Sequence, residues 1–302
     1  MNKRFYSNGK LLLTGEYVVL DGALSLAVAT KYGQSLTIEE IDGPKIIWQS
    51  LDEKSATWFE ETFSIKQITS LPTPQEDISN RLFQILNAAK QLNPKFLDSE
   101  NGFKITTQLD FPRNWGLGTS STLVNNIAQW ANIDAFSLLK NSFSGSGYDI
   151  ACAQHNKPIT YQLKDKKPIV KEVDFNPSFK NYLYFVHLNK KQNSREGIEQ
   201  YHSNKENAKF AISEINDITT KILESNTFEN FRRLIDAHEA IISKITKQVS
   251  VKQLLFDDFE GSIKSLGAWG GDFVLATSEV NPTDYFKKRG FKTVVCFDDM
   301  VL

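Results

Sequence analysis

The stretch PRNWGLGTSS, residues 112–121, places two glycines between a predicted strand and a predicted helix. Apolar residues alternate over 103–109, as they do in a strand, and an apolar run at helical spacing follows over 122–131. A turn that contains Gly116 and Gly118 lets backbone N–H groups come close to a ligand, because no side chain stands in the way. The helix that follows adds unpaired N–H groups and the positive end of its dipole.

Three hydroxyl side chains complete this segment. Thr119, Ser120 and Ser121 can bind phosphate oxygens or a Mg²⁺ ion, so that the segment has the character of a phosphate-binding loop. It is not a Walker A loop, because no lysine follows the second glycine, Gly118. The alternative is an ordinary strand-to-helix turn with hydroxyl caps, and this segment alone does not decide between the two.

A second glycine segment, GSGYD at residues 145–149, places a carboxylate directly after a flexible turn. An aspartate beside a phosphoryl acceptor can take or orient the proton of the attacking hydroxyl. Asp149 is therefore a candidate general base, and the alternative is an aspartate that only caps a helix or a turn. A third segment, GAWGGD at 267–272, is predicted to lie between a helix and a strand, where it could also be a helix C-cap with a tight turn.

The rest of the chain mixes strands and helices without a strict βα alternation, which predicts an α+β fold and not a doubly wound sheet. The N-terminal part is predicted to be β-rich, with residues 17–20 extended before a turn. A boundary is expected within 164–179, which gives predicted domains at 1–175 and 176–302. Helices are predicted at 78–93 (after the N-cap Asp77), 194–225, 228–245, 251–264 and 283–288, and strands at 46–48, 182–188, 273–277 and 293–297.

Composition excludes several classes of protein. With 302 residues, of which 40% are hydrophobic and 24% charged, the chain can bury a core and remain soluble. Its 35 Lys and Arg residues balance 36 Asp and Glu residues, which argues against a general nucleic-acid binder. Two cysteines and four scattered histidines give neither a disulfide framework nor a zinc signature. Glu16 interrupts the apolar run 11–13 before it reaches the length of a signal peptide or membrane span, so we expect a cytoplasmic protein.

The glycine segments belong to a set of four: GKLLLTGEY at 9–17, PRNWGLGTSS at 112–121, GSGYD at 145–149 and GAWGG at 267–271. In order and spacing this set resembles the motifs of the GHMP kinases, a superfamily that includes galactokinase, homoserine kinase, mevalonate kinase and phosphomevalonate kinase. The resemblance extends from residue 9 to about residue 277 and is strongest to the mevalonate and phosphomevalonate kinases. It implies a two-domain α+β fold, with a ribosomal S5 domain 2-like, ATP-binding domain at 1–175 and a ferredoxin-like domain at 176–302.

The resemblance implies an ATP- and Mg²⁺-dependent phosphotransferase, and it assigns roles to the matching residues. Asp149 corresponds to the catalytic base. Lys10 corresponds to a lysine beside the transferred phosphoryl group, and its alternative is a solvated lysine at a strand end. The Ser120 hydroxyl corresponds to a group near Mg²⁺. The residues that would surround the ATP phosphates are Pro112, Gly116, Leu117, Gly118, Thr119, Ser120 and Ser121.

The same resemblance places a second group of residues at the acceptor substrate. Its members are Glu16, Tyr17, Ser146, Gly147, Gly267, Trp269, Gly270 and Gly271. For Glu16 the alternative role is that of a structural ion-pair partner. Lys190, Lys191 and Arg195 could bind an anionic acceptor, or they could form a solvated basic loop before a helix.

Two departures from the resembled family bear on activity. Mevalonate kinases carry a glutamate that holds Mg²⁺ shortly before the aspartate motif, whereas residues 137–143 of this chain contain no acid. Asp134 is the nearby acid, but nothing in the sequence fixes its alignment. In the third segment, Trp269 and Asp272 stand where many relatives have a glycine and a small residue, and a tryptophan there would shape or narrow an acceptor pocket.

The favoured function is phosphorylation of mevalonate or phosphomevalonate in isoprenoid precursor synthesis. A sugar or sugar-phosphate kinase of the same superfamily is the alternative acceptor class. An alternative of a different class is a non-catalytic relative that binds a nucleotide without turnover. We expect a small-molecule substrate and neither nucleic acid nor a membrane as a partner, and a homodimer remains open.

Overall fold

A computed structural model describes residues 2–69, 77–143, 145–190, 194–203, 208–267 and 269–302. Its strands are β1 Lys3–Leu12, β2 Ser25–Ile41, β3 Lys45–Leu51, β4 Thr57–Ser64, β5 Gly102–Leu109, β6 Ile159–Lys164, β7 Lys167–Glu172, β8 Leu183–His187, β9 Ile263–Leu266, β10 Phe273–Thr277 and β11 Val294–Cys296. Its helices are α1 Ile78–Leu92, α2 Thr119–Ala131, α3 Ala135–Ser142, α4 Tyr148–Gln154, α5 Ser194–Ser203, α6 Ala208–Leu223, α7 Phe228–Thr246, α8 Val251–Leu255, α9 Thr283–Lys288 and α10 Phe297–Met300. The α+β prediction is confirmed.

Contacts divide the chain into two compact units that alternate along the sequence. Unit 1 comprises Met1–Gly9, Tyr32–Arg113 and Leu117–Gln154. Unit 2 comprises Lys10–Lys31, Asn114–Gly116 and His155–Leu302. The domain boundary predicted after residue 175 stays a prediction.

Unit 1 is a sheet covered by helices. Its strands follow the order β4-β3-β5-β2, in which β3 and β5 are parallel and the other two pairs are antiparallel. Alternate residues of β3 and β5, such as Trp48 and Ile105, are buried. They pack with apolar residues of the helices, such as Ile85 of α1 and Ile127 of α2, in one hydrophobic core.

Local signals specify the helices of unit 1. The Asp77 side chain accepts a hydrogen bond from the Asn80 N–H at 2.7 Å and thereby caps α1, as predicted. The buried positions of α1 include Leu82, Ile85, Leu86 and Ala89, one stripe at helical spacing. α2 begins at Thr119, directly after a glycine in the left-handed region, as the glycine turn predicts.

Unit 2 contains a four-stranded antiparallel sheet in the order β11-β8-β10-β9. The first residues of β2 pair with β6, and β6 pairs with β7. The cluster around Val186 and Phe256 packs residues of this sheet with residues of α8 and α9. Another cluster contains Tyr17, Tyr201 and Trp269 together with apolar residues of α6 and α7. None of the helices in the described part of the chain is long and apolar enough to cross a membrane.

Three local predictions are wrong. Residues 17–20 are not extended, because Val18–Asp21 form a 3₁₀ helix. The helix predicted over 251–264 ends at Leu255, and Ile263–Leu266 form strand β9, which pairs with β10. Residues 251–264 mix apolar and charged positions and contain Gly261, so their pattern does not distinguish strand from helix. The pairing with β10 makes 263–266 a strand. The third glycine segment consequently joins two strands and not a helix and a strand.

Candidate functional site

The first turn of α2 offers backbone N–H groups that no side chain caps. Its N-cap is Gly118, which has a φ of 95° and no side chain to accept from the helix. The first N–H groups of any helix lack an intrahelical partner, and with the helix dipole they favour an anion. Ser120 is exposed in this turn. The Ser121 hydroxyl, by contrast, is buried and donates to the Gly118 carbonyl at 2.9 Å.

Buried polar side chains fix the start of α2 to β2. The Thr122 hydroxyl lies 2.9 Å from Gln34 Oε1, and Asn126 Nδ2 donates to the Gln34 carbonyl at 2.9 Å. Asn126 Oδ1 in turn accepts from the Ser7 hydroxyl at 2.7 Å. Because these groups are buried and paired, they hold the helix in one orientation. The uncapped turn is therefore preorganised.

Asp149 lies in the first turn of α4, in the same unit as α2. Its Oδ1 is 3.1 Å from the Ile150 N–H, and the side chain is partly buried. The two helices pack together, and Gln154 Nε2 donates to Asn125 Oδ1 at 3.1 Å. Ser146 is partly buried and Gly147 is buried just before α4.

In unit 2, Lys10 reaches the glycine turn. Its Nζ donates to the Gly116 carbonyl at 2.9 Å, so the ammonium group is held beside this residue. Trp115 packs edge-on against Phe273 of β10, with ring centroids 5.3 Å apart. His187 Nε2 lies 3.0 Å from the Asn114 carbonyl. These contacts place the segment 114–116 on β8 and β10.

Gly116 is required for two independent reasons. Its φ is +68°, a conformation that side-chain-bearing residues rarely adopt. A Cβ atom at this position would also lie 2.3–2.5 Å from the carboxyl atoms of Asp272. The backbone of Asp272 is fixed as well, because its N–H donates to the Lys190 carbonyl at 2.7 Å and its carbonyl accepts from the Leu188 N–H at 2.8 Å. Asp272 therefore packs directly against the glycine turn.

Glu16 is not exposed to an acceptor in this structure. The side chains of Glu16 and Lys264 are fully buried and form an ion pair. Lys264 Nζ also donates to the Ser265 carbonyl at 2.9 Å. This geometry agrees with the alternative role of Glu16 as a structural ion-pair partner.

Two further buried groups border this pair. His238 Nε2 accepts a hydrogen bond from the Gly15 N–H at 2.9 Å. Burial, together with the Lys264 charge, holds the pKa of His238 well below its usual value. His238 is therefore neutral, and its 3.4 Å contact with Glu16 Oε2 is not an ion pair. The Glu239 carboxylate accepts from the Ser265 hydroxyl at 2.8 Å.

Tyr17 connects the first motif to the third glycine segment. It has φ 64° and ψ −50°, and the Val18 N–H donates to the Glu16 carbonyl at 2.8 Å, which closes a strained γ-turn. Its hydroxyl accepts from the Trp269 backbone N–H at 3.0 Å, and its ring stacks on Tyr201. Such strain persists only where the surroundings hold it, and here the Glu16 ion pair and the Trp269 contact flank it.

Comparison with solved structures identifies this architecture. No family model and no curated protein matches the sequence. The mevalonate kinase of Methanococcus jannaschii matches with a TM-score of 0.73 at 17% identity, over 98% of this chain and 97% of the other. The Streptococcus pneumoniae phosphomevalonate kinase, in complex with phosphomevalonate and AMPPNP, matches with a TM-score of 0.71 at 17% identity, over 98% and 100%. The Lactococcus lactis galactokinase, complexed with galactose, matches with a TM-score of 0.71 at 14% identity, over 95% and 88%.

The chain has the GHMP kinase fold. The resemblance inferred from the four motifs is thus confirmed at the level of the fold. Within this GHMP kinase fold, the structure brings together Lys10 with Gly116, Glu16 with Lys264, and Tyr17 with Trp269.

The acid nearest to the aspartate motif has a structural role in this GHMP kinase fold. Asp134, the acid nearest to the aspartate motif, caps α3, and its Oδ2 accepts from both the N–H and the hydroxyl of Ser137. The described residues contain no group of three or more His, Cys, Asp or Glu side chains placed to hold a metal. Of the basic residues considered for the acceptor, Lys190 is exposed, whereas Lys191 and the Arg195 side chain lie outside the described residues.

Sequence reasoning assigned no role in this site to three residues that shape it: Lys264, His238 and Glu239. It noted Asp272 only as a departure from the resembled family and did not predict its packing against Gly116. Lys264 needs a partner because all four residues of β9 are buried, and that burial is not visible in the sequence IKSL. Glu16, which interrupts the apolar N-terminal run, is the matching acid. The two positions are 248 residues apart, and nothing in a single sequence links them.

Glu239 makes the stability of the protein depend on pH. Burial raises its pKa from 4.5 to about 7, the Lys264 charge lowers it and the Glu16 charge raises it. Between these two values the unfolded chain loses a proton that the folded chain keeps, so this residue makes stability fall as pH rises from 4.5 to about 7. Over this pH range the free energy of unfolding falls by about 3 kcal/mol because of Glu239.

We therefore expect Glu239→Gln to gain stability relative to the wild type at pH 8 and much less at pH 5. Urea unfolding at both pH values measures this difference, and the comparison isolates Glu239 from other titrating groups. Glu229→Gln, an exposed glutamate on the same helix, is the matched control. An equal effect of Glu239→Gln at both pH values would contradict the assignment.

Tyr17→Phe removes the hydroxyl that accepts from the Trp269 backbone N–H and keeps the aromatic ring. Because one hydrogen bond contributes about 1 kcal/mol, we expect this amide to exchange with solvent several-fold faster, on the order of 5-fold. Amide exchange of ¹⁵N-tryptophan-labelled protein measures it. Tyr201→Phe is the control, since the Tyr201 hydroxyl donates to Asp21 at 2.6 Å and not to the glycine segment. Equal acceleration in both variants would show that ring packing, and not this bond, holds the segment.

Proposed function

We propose that this protein is an ATP-dependent small-molecule kinase that transfers the γ-phosphoryl group to a hydroxyl or phosphate acceptor. The observation that carries the proposal is the uncapped first turn of α2, which buried hydrogen bonds to Gln34 hold in one orientation. A helix N-terminus with unpaired N–H groups favours a polyanion such as a triphosphate. The GHMP kinase fold over the full length of the solved kinases supports the same conclusion.

The ATP phosphates are proposed to bind along residues 116–121, with Pro112 and Leu117 shaping the turn. The N–H groups of the first turn of α2 would donate to phosphate oxygens, and Lys10 would stabilise the transferring group. Asp149 would accept the proton of the acceptor hydroxyl or orient that hydroxyl. Its hydrogen bond with the Ile150 N–H keeps one oxygen oriented.

The residues present fit a Mg²⁺ ion that arrives with the nucleotide. Mg²⁺ is usually bound by phosphate oxygens, waters and one or two protein oxygens, so a dedicated cluster of acids is not required. The exposed Ser120 hydroxyl in the first turn of α2 is the protein oxygen proposed to hold it. When bound, the ion neutralises charge on the phosphates.

Mevalonate or phosphomevalonate is the favoured acceptor. The first motif resembles the kinases of these two compounds, and solved structures of such kinases share the fold at nearly full length. A sugar or sugar phosphate is the alternative acceptor, because a galactokinase shares the fold at a similar TM-score. A nucleotide-binding protein without turnover is a second candidate function, favoured by the capping role of Asp134 and the absence of an acid over 137–143.

The direct test is ATP consumption in the presence of Mg²⁺ across a panel of acceptors: mevalonate, phosphomevalonate, homoserine, galactose and several sugar phosphates. Turnover with one acceptor supports the kinase and names its substrate. ATP binding without turnover on the whole panel would favour the non-catalytic alternative. Absence of ATP binding would contradict both.

Asp149→Asn should lower turnover by at least about 100-fold, because a general base typically contributes this much, and it should leave ATP affinity nearly unchanged. Steady-state kinetics and calorimetric titration with ATP separate the two effects. Asp98→Asn, which changes an exposed aspartate of the same unit, is the matched control and should keep full activity. A turnover number for Asp149→Asn within a few-fold of the wild type would exclude Asp149 as the base.

A further inference from the structure

A cavity of about 730 Å³ lies in unit 2. The described residues that line it come from residues 157–158 before β6, from residues 172–176 after β7, and from α10 and the two residues that follow it. They include none of the residues proposed to bind ATP or the acceptor. Small-molecule sites are typically clefts of about 300–1,000 Å³. The cavity therefore has the size of a ligand site that the kinase function does not use.

Backbone hydrogen bonds hold the walls of this cavity together. The Val173 N–H donates to the Pro158 carbonyl at 2.9 Å, which joins the segments on either side of β6 and β7. The Leu302 N–H donates to the Ala29 carbonyl at 3.1 Å, two residues before Lys31. Because these bonds fix the walls in advance, a ligand would not have to order them.

Part of the lining is apolar. Phe175 and Phe297 are each 5% exposed and pack edge to face, with ring centroids 6.1 Å apart. Val301 is 6% exposed and lies in the same lining. Phe175 also packs against the Phe231 ring of α7, which holds it in place. An apolar part of a ligand placed against these side chains would be removed from water.

Six charged side chains also line the cavity, and four of them form ion pairs with one another. Lys180 Nζ lies 2.9 Å from Asp298 Oδ1. Lys157 Nζ lies 3.8 Å from Glu172 Oε2. Each of these pairs is electrically balanced, so neither pair favours a ligand of one sign.

The other two charged side chains, Lys31 and Asp174, are of opposite sign. Lys31 Nζ donates to the backbone carbonyl of Asp298, which carries no charge. Within the part of the chain that the structure describes, Lys31 makes no ion pair, and Asp174 makes neither an ion pair nor a hydrogen bond. One positive and one negative charge thus border the same cavity without compensating each other.

We propose that this cavity binds a small zwitterion with an apolar side chain, an amino acid or a short peptide, whose carboxylate pairs with Lys31 and whose ammonium group pairs with Asp174. The apolar side chain would lie against Phe175 and Phe297. A ligand with a single charge would compensate only one of the two groups. A polyanion such as ATP would meet three carboxylates in the lining and is disfavoured.

The test is calorimetric titration of the full chain with leucine and with probes that each lack one of its features. Isocaproate is leucine without the ammonium group, isoamylamine is leucine without the carboxylate, and serine is a zwitterion without an apolar side chain. We expect leucine to bind about 5-fold more tightly than either singly charged probe, because each lacks one partly exposed ion pair. Serine should also bind more weakly than leucine. Leucyl-leucine in a parallel titration shows whether the site takes a free amino acid or a peptide.

Two substitutions assign the charges to their partners. Lys31→Met should weaken leucine about 5-fold and leave isoamylamine unchanged, whereas Asp174→Asn should weaken leucine by a similar factor and leave isocaproate unchanged. Both side chains are exposed, so neither change disturbs the core. Lys221→Met and Asp257→Asn, which change exposed residues of the same unit, are the matched controls and should bind leucine like the wild type.

The proposal is overturned if neither leucine nor leucyl-leucine binds saturably, or if the singly charged probes bind as tightly as leucine. It is also overturned if Lys31→Met weakens isoamylamine as much as leucine, because the lysine would then not pair with the carboxylate. None of these results depends on ATP binding or turnover, so they leave the kinase function to its own test.

Discussion

The buried ion pair between Glu16 and Lys264 is the constraint on which the arrangement of unit 2 depends. Taking two charges out of water costs several kcal/mol for each ion, and only close, well-oriented pairing offsets that cost. The pair therefore fixes the backbone at residues 15–17 against β9. Lys10 precedes residues 15–17 along the chain, and the third glycine segment follows β9. The ion pair therefore restrains the chain next to both Lys10 and the third glycine segment. Removing either partner alone would cost about 3–5 kcal/mol, because the other charge would be left unpaired.

Because of this ion pair, the residues of the first motif have different roles. Glu16 is committed to Lys264, and the Tyr17 hydroxyl accepts from the Trp269 backbone while its proton remains available. Lys10 donates to a backbone carbonyl and lies beside the glycine turn. Three residues of the first motif thus have different tasks: Glu16 holds the segment, Tyr17 connects it to the third glycine segment, and Lys10 places a charge beside Gly116.

Features that depend on residues close together in the sequence could be predicted, and features that depend on distant residues could not. The cap of α1 at Asp77, the glycine turn before α2 and the α+β class are local or compositional, and the structure confirms them. Three other features depend on partners far away in the chain. They are the strand conformation of β9, the pairing of Glu16 with Lys264 and the packing of Asp272 against Gly116. Periodicity within a short window cannot contain that information. The order of the four motifs was enough to predict the fold. The separate roles of Lys10, Glu16 and Tyr17 could be assigned only from their contacts in the structure.

We propose that the glycine turn and the first turn of α2 bind the phosphates of a nucleotide. Calorimetric titration of the wild-type protein with ATP, AMP and adenosine in Mg²⁺ buffer tests this binding mode. Because hydrogen bonds to charged groups contribute about 1.5–3 kcal/mol each, we expect ATP to bind at least about 100-fold more tightly than adenosine, with AMP in between. Equal affinity for ATP and adenosine, or no binding of ATP, would contradict phosphate binding at this turn.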